Sequence, residues 1–169
     1  TPHPGPQVRA ARRIRGADPT TTIAQRGHPM SLALIAALPF LGALLPGLVL
    51  RFGRGAAALA AAATTALALA LLILHAPAVL RGEVVTAGIV WLPQLGLGAN
   101  LMLDGLGLLF AGLILGMGLL VILYAWFYLS ARDPLGLFYT YLLLFQGAMT
   151  GIVLSDNILL LLVFWELTS

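Results

Sequence analysis

The chain has no cysteine and no lysine. Without cysteine there are no disulfides, no thiolate chemistry and no cysteine metal site, although this absence does not fix a compartment. Without lysine, all nine basic residues are arginine. Charge is scarce as well: Asp, Glu, Lys and Arg make up 9% of 169 residues, against 60% hydrophobic residues and a mean hydropathy of +1.01. A soluble domain of this size could not hide so much apolar surface in one core, so composition alone reads as membrane. Gly-rich phosphate loops, His/Asp/Glu metal spacings and a Ser-His-Asp set are also missing. No metal site, no cofactor and no soluble-enzyme active site is therefore expected. Nor does the net charge of +3 point to nucleic acid. Arg9, Arg12, Arg13, Arg15 and Arg26 all fall in the first 29 residues, no basic helix or aromatic platform accompanies them, and the remainder has four arginines against five acids.

What is present divides into a tail and a series of apolar runs. Residues 1–30 carry the five arginines and five prolines and lack an apolar run until Ser31. Such a stretch cannot bury enough surface to offset chain entropy and is expected to be disordered. It reads either as a basic leader or as translated upstream sequence ahead of a native start at Met30; Thr1 is not a start residue, and the second reading is preferred.

From Ser31 onward the expected fold is an all-α membrane protein of about five transmembrane helices, with a short β-hairpin between helices two and three. The helices are expected over about 32–50, 56–79, 101–129, 135–154 and 157–169, the last cut off at Ser169. Each of the first four is long enough to cross a hydrocarbon core of about 30 Å at about 1.5 Å per residue. Pro39 and Pro46 would kink the first. The interruption at 81–100 holds Glu83, Trp91, Pro93, Gln94 and Asn100 and is too broken to span. Its Val84-Val85 and Ile89-Val90-Trp91 segments, separated by Gly, suggest the hairpin. Tyr124, Trp126, Phe127 and Tyr128 give the third helix an aromatic end, as at a headgroup boundary. Ser155-Asp156-Asn157 is a tight link and an N-cap.

Arginine asymmetry sets the expected orientation. The links after the first and third helices carry Arg51, Arg54 and Arg132, the opposite side only Arg81. Three against one puts the first and third links in the cytoplasm and the hairpin outside. A native basic tail would then lie outside, against the rule, which further disfavours it.

Glu166 is the leading functional candidate. Counted from Asn157 it is about nine residues into its helix, roughly 13 Å deep and near the bilayer midplane. A carboxylate there costs at least ~2.5–3.5 kcal/mol unless it faces a partner or a wet path. Removal from water favours its protonated form and a nearby cation its ionised form, so a group held between the two can carry a proton. The plainer alternative is a glutamate at a helix end that snorkels or pairs locally. Asp104 and Asp156 are secondary candidates at expected membrane edges, where caps or hairpin anchors outweigh relay members. His75 could sense pH, but a hydrogen-bonded interface histidine outweighs that reading. Gly112-x-x-x-Gly116 and Gly147-x-x-x-Gly151 are small-residue spacings that let helices approach.

Three stretches together resemble a known family. They are Leu103-Asp104-Gly105-Leu106-Gly107-Leu108-Leu109-Phe110, the turn Arg132-Asp133-Pro134-Leu135-Gly136, and Val153-Leu154-Ser155-Asp156-Asn157 with Phe164-Trp165-Glu166-Leu167-Thr168-Ser169. They look like the N-terminal part of the antiporter-like subunits shared by respiratory complex I and the Mrp-type multisubunit cation/proton antiporters. The turn and the Trp-Glu-Leu-Thr-Ser ending look more like the large A subunit of the Mrp branch. The complex I subunit typically has Gly-Trp-Glu-Gly there, which this chain lacks. The resemblance covers about Ser31 to Ser169.

It implies that Glu166 belongs to a fifth helix and pairs with a lysine two helices later, outside this chain, the pair gating proton movement. It also implies the outside-facing hairpin and a place in the inner (plasma) membrane. The partners implied are other subunits of a hetero-oligomeric complex, the lipid bilayer, H⁺, and Na⁺ or K⁺. On this reading the chain is part of a transporter subunit, not an enzyme. Two alternatives stand beside it. One is the proton-pumping subunit of complex I, coupled to quinone reduction by NADH. The other is a non-transporting membrane scaffold in which Glu166 pairs with a neighbouring helix.

Overall fold

The computed structural model describes residues 29–92, 97–130 and 133–168. The expected disordered tail up to residue 28, Pro93 and Gln94 of the interruption, Arg132 of the third link and Ser169 lie outside the described residues.

Proline shapes the first crossing. Helix α1 (Pro29–Gly42) gives way at Ala43 to α2 (Leu44–Val49) and a 3₁₀ turn over Leu50–Phe52. Pro46 has no N–H to offer the carbonyl four residues back, so the ladder is broken there. Ala43 keeps helical dihedrals, and its own N–H still reaches the Pro39 carbonyl at 2.9 Å. The Ala43 carbonyl accepts the Thr140 hydroxyl at 2.9 Å, so a neighbouring helix satisfies a backbone group at the break.

Gly53 follows at φ +112°, a conformation that favours glycine, and opens α3 (Arg54–Leu80). The buried face of α3 is Ala57, Ala58, Ala61, Thr64, Thr65, Ala68 and Leu72, a stripe of mostly small residues at helical spacing that lets neighbours approach. Its C-terminus is closed by Gly82 at φ +85°. There the N–H of Gly82 reaches the Val79 carbonyl and that of Glu83 the Ala78 carbonyl, a paired cap that satisfies two orphan acceptors.

The interruption is a two-stranded antiparallel hairpin, β1 (Val85–Leu92) with β2 (Leu97–Leu103). This corrects the expected strand pairing. Val85 and Ile89-Val90-Trp91 lie on one strand, and Gly88 sits inside it opposite Asn100. It also corrects the expected start of the third helix: residues 101–103 are strand, Val85 pairing with Leu103 and Ala87 with Leu101. Hydropathy is continuous across that boundary, so apolar character alone cannot mark it. The mark is Asp104, whose carboxylate accepts the Gly107 N–H at 2.7 Å and caps α4 (Gly105–Tyr128).

Helix α5 (Leu135–Leu154) follows, then α6 (Ile158–Glu166), capped by the Asn157 side chain on the Leu159 N–H at 2.9 Å. Among the described residues, four helical segments are long and apolar enough to cross a membrane: 31–52, 54–80, 105–128 and 135–154. Where a fifth spanning helix is expected, α6 has nine residues, followed by a turn at Leu167–Thr168.

Each end of the bundle is tied across elements. Arg54, after the first crossing, donates to the Leu129 carbonyl, after the third, at 2.8 Å. At the other end the Asp156 N–H donates to the Asn100 carbonyl at 3.0 Å, and Leu101 bridges Ser155, so the hairpin is joined to the α5–α6 link. The apolar core is in two parts. One, toward the hairpin, includes Leu32, Ile35, Ala68, Leu72, Leu103, Leu115 and Leu154. The other, toward Arg54, includes Ala57, Ala61, Ile122, Tyr139 and Leu143.

Candidate functional site

Glu166 is the last residue of α6, and its side chain is exposed. The expected burial is therefore not provided by the described residues. The reason lies in how α6 docks. Phe164 is set into α5 at Gly151, where any Cβ would collide with the ring, and it stacks on Phe40 of α1 at 6.2 Å. Glu166, two residues on, is about 200° further round the helix and faces away from that contact. Among the described residues it has no hydrogen-bond or ion-pair partner. Measured along the two antiparallel helices, Glu166 and Gln146 each stand eight residues from their ends of the α5–α6 link, about 12 Å by helical rise.

Gln146 belongs to the second polar feature, which lies at the seam between the two core clusters. On α3 the seam falls between Ala61 and Ala68, at Thr65. On α4 it falls between Leu115 and Ile122, at Gly118. On α5 it falls beyond Leu143, at Gln146 and Thr150. Gln146 is 2% exposed, Thr65 and Thr150 0%. The Thr65 hydroxyl donates to Gln146 Oε1 at 3.1 Å. Gly118 leaves the space the amide fills, since a Cβ there would stand 2.5 Å from Gln146 Cδ. Among the described residues, Gln146 Nε2 and Thr150 Oγ1 are buried without a hydrogen-bond partner. An unsatisfied buried polar group costs about 1–3 kcal/mol, and apolar surroundings offer no alternative partner.

The other sequence candidates are dispersed. Asp104 is engaged as the cap of α4. Asp156 is exposed, and it is its backbone that holds β2. His75 is half-buried between α1 and α3. Its Nδ1 lies 2.8 Å from the Leu71 carbonyl, which can only accept, so Nδ1 carries the proton; Nε2 lies 2.9 Å from the Ser31 hydroxyl. None of the three contacts Glu166. Among the described residues no group of three or more His, Asp or Glu is placed to hold a metal ion. The two glycine spacings differ. Gly147 meets the Phe40 ring and Gly151 the Phe164 ring, whereas Gly112 has only the Leu72 side chain at 3.9 Å and Gly116 has open space.

The Thr65–Gln146–Thr150 group is absent from the sequence-based candidates, because none of its members carries charge. One signal was available: Gln146 is the single side-chain amide within the four spanning segments.

Comparison with known proteins gives the chain its relatives. Residues 91–139, running from the hairpin through α4 into α5, match the family described as NADH-ubiquinone oxidoreductase (complex I), chain 5 N-terminus. Glu166 lies outside that stretch. The A1 subunit of the Na(+)/H(+) antiporter from Staphylococcus aureus strains JH9 and Newman is 56% identical over 90 residues, 53% of this chain and 11% of the relative. Among solved structures, the Mrp complex from Dietzia sp. DQ12-45-1b aligns with a TM-score of 0.68 and 32% identity, over 80% of this chain and 14% of that one. The membrane-bound sulfane sulfur reductase, an archaeal respiratory membrane complex, aligns with a TM-score of 0.66 over 82% of this chain and 21% of that one; at 22% identity it shares the fold alone. The chain thus spans about a tenth of the length of the curated relatives it matches.

Proposed function

We propose that this chain, a relative of the antiporter-like membrane subunits, forms the helical beginning of the large A subunit in an Mrp-type antiporter. In the whole protein that subunit would exchange a monovalent cation, Na⁺ or K⁺, for protons across the inner membrane. The carrying observation is the 56% identity to an Na(+)/H(+) antiporter subunit. The complex I reading is favoured by the match at residues 91–139. The Trp165-Glu166-Leu167-Thr168-Ser169 ending, without the Gly-Trp-Glu-Gly pattern, favours the antiporter side.

In this reading Glu166 takes up and releases the proton. It stands about 12 Å along its helix, on a face that the described residues leave uncovered. A carboxylate at that depth must meet a cation or water supplied from outside the described residues. Partner residues on later helices and other subunits of a hetero-oligomeric complex would close over it. Arg51 and Arg54 would face the cytoplasm and the hairpin the outside. The chain acts here as part of a transporter, with no bond-making step of its own.

The test is Glu166→Gln in the complete complex, followed by cation-driven proton movement in inverted vesicles. Glutamine keeps the shape and cannot exchange a proton. Loss of exchange with normal assembly is expected; exchange near the wild-type rate would sink the proposal.

A further inference from the structure

We infer that Gln146 and Thr150 hold a bound water in the middle of the bundle, a site independent of Glu166. Gln146 Nε2 is a donor, Thr150 Oγ1 both donor and acceptor, and both are fully enclosed without a hydrogen-bond partner among the described residues. They lie one helical turn apart on α5, beside each other on one face. Gln146 is fixed there from two sides, by the Thr65 hydroxyl on its oxygen and by the Gly118 backbone against its amide plane. Turning the amide over would exchange its two atoms and still leave one of them, and the Thr150 hydroxyl, unpaired. Buried polar atoms in native proteins are nearly always satisfied, and a single water can serve two such groups at once. It would accept from Gln146 Nε2 and exchange a hydrogen bond with Thr150 Oγ1.

The position gives this water a use. It stands at the seam between the two apolar clusters and at about the same distance from the α5–α6 link as Glu166. A hydrated station there extends the polar level of the membrane interior from α6 into the four-helix bundle. That use rests on the exchange function proposed above, whereas the water site rests only on the two unpaired atoms.

The experiment is a structure of the complete complex in lipid nanodiscs, at a resolution that shows ordered water, for wild type, Thr150→Val and Thr150→Ser. Density within about 3.2 Å of both Gln146 and Thr150 is expected in wild type and Thr150→Ser and is expected to be lost in Thr150→Val. A dry wild-type site, or Gln146 bonded directly to another protein group, overturns the water site. Exchange in the same three proteins reads the second part. A several-fold slower rate in Thr150→Val, with Thr150→Ser near wild type, is expected; equal rates in all three overturn the link to transport and leave the water site standing. Failure of the exchange proposal itself appears separately, as unchanged transport in Glu166→Gln.

Discussion

Gln146 lies against Gly118 because Gly118 has no side chain: a Cβ there would come within 2.5 Å of the amide carbon and nitrogen. The amide cannot simply swing aside, since its oxygen is held by Thr65. Gly118→Ala should therefore destabilise by about 1–3 kcal/mol, as overpacking of a filled interior does. Gly118→Ala combined with Gln146→Ala should cost less than the sum of the single changes, because the residues share one space. Thermal unfolding of the four proteins in detergent measures both statements.

Thr65→Val and Gln146→Met should behave differently although both break the same hydrogen bond. The valine leaves Gln146 Oε1 buried without its donor, at a cost of about 1–3 kcal/mol. The methionine removes both amide atoms and fills a similar volume, and the Thr65 hydroxyl can turn to a carbonyl of its own helix. The loss for Gln146→Met should thus be the smaller. Comparable losses in thermal stability would show that the Thr65 bond is not what orders the seam.

Asp104 separates a cap from a proton carrier by one substitution. Asparagine can still accept the Gly107 N–H but cannot carry a proton; alanine can do neither. Asp104→Ala should lose about 1 kcal/mol and Asp104→Asn much less. Exchange by the complete complex should survive Asp104→Asn. A transport loss in that variant, with stability unchanged, would return Asp104 to the proton path.

The two glycine spacings make opposite predictions. Gly151→Leu drives a side chain into the Phe164 ring and should release α6 from α5, seen as faster proteolysis or deuterium uptake over 158–168. Gly112→Ala meets only Leu72 at 3.9 Å, ordinary contact, and should leave stability within about 0.5 kcal/mol of wild type.

How much of this could be read in advance follows from what each residue does locally. The crossings were legible because apolar length is a property of the chain itself, and Asn157 was legible as a cap because capping is local. The hairpin's existence followed from Gly and polar residues, but its pairing did not. Val85 finds Leu103 on a second strand, and nothing in an apolar run marks where strand becomes helix except Asp104. Glu166 was legible as a charge and not as a face, since its direction is set by where Phe164 docks. Gln146 went unread for a related reason. As the single amide in the spanning segments it could be noticed, but its role shows when three helices bring Thr65, Gly118 and Thr150 around it.

The hydrogen bonds between the hairpin and the α5–α6 link are made by main-chain atoms: the Asp156 N–H on the Asn100 carbonyl, and the bridge between Leu101 and Ser155. A joint of this kind is blind to side-chain identity. Residues at 156 can be exchanged among most amino acids without loosening it, so alanine scanning would pass over the place where two parts of the molecule are fastened. Sequence drift at that position is correspondingly poor evidence that the position is idle. Proline alone, which takes away the N–H, would expose it.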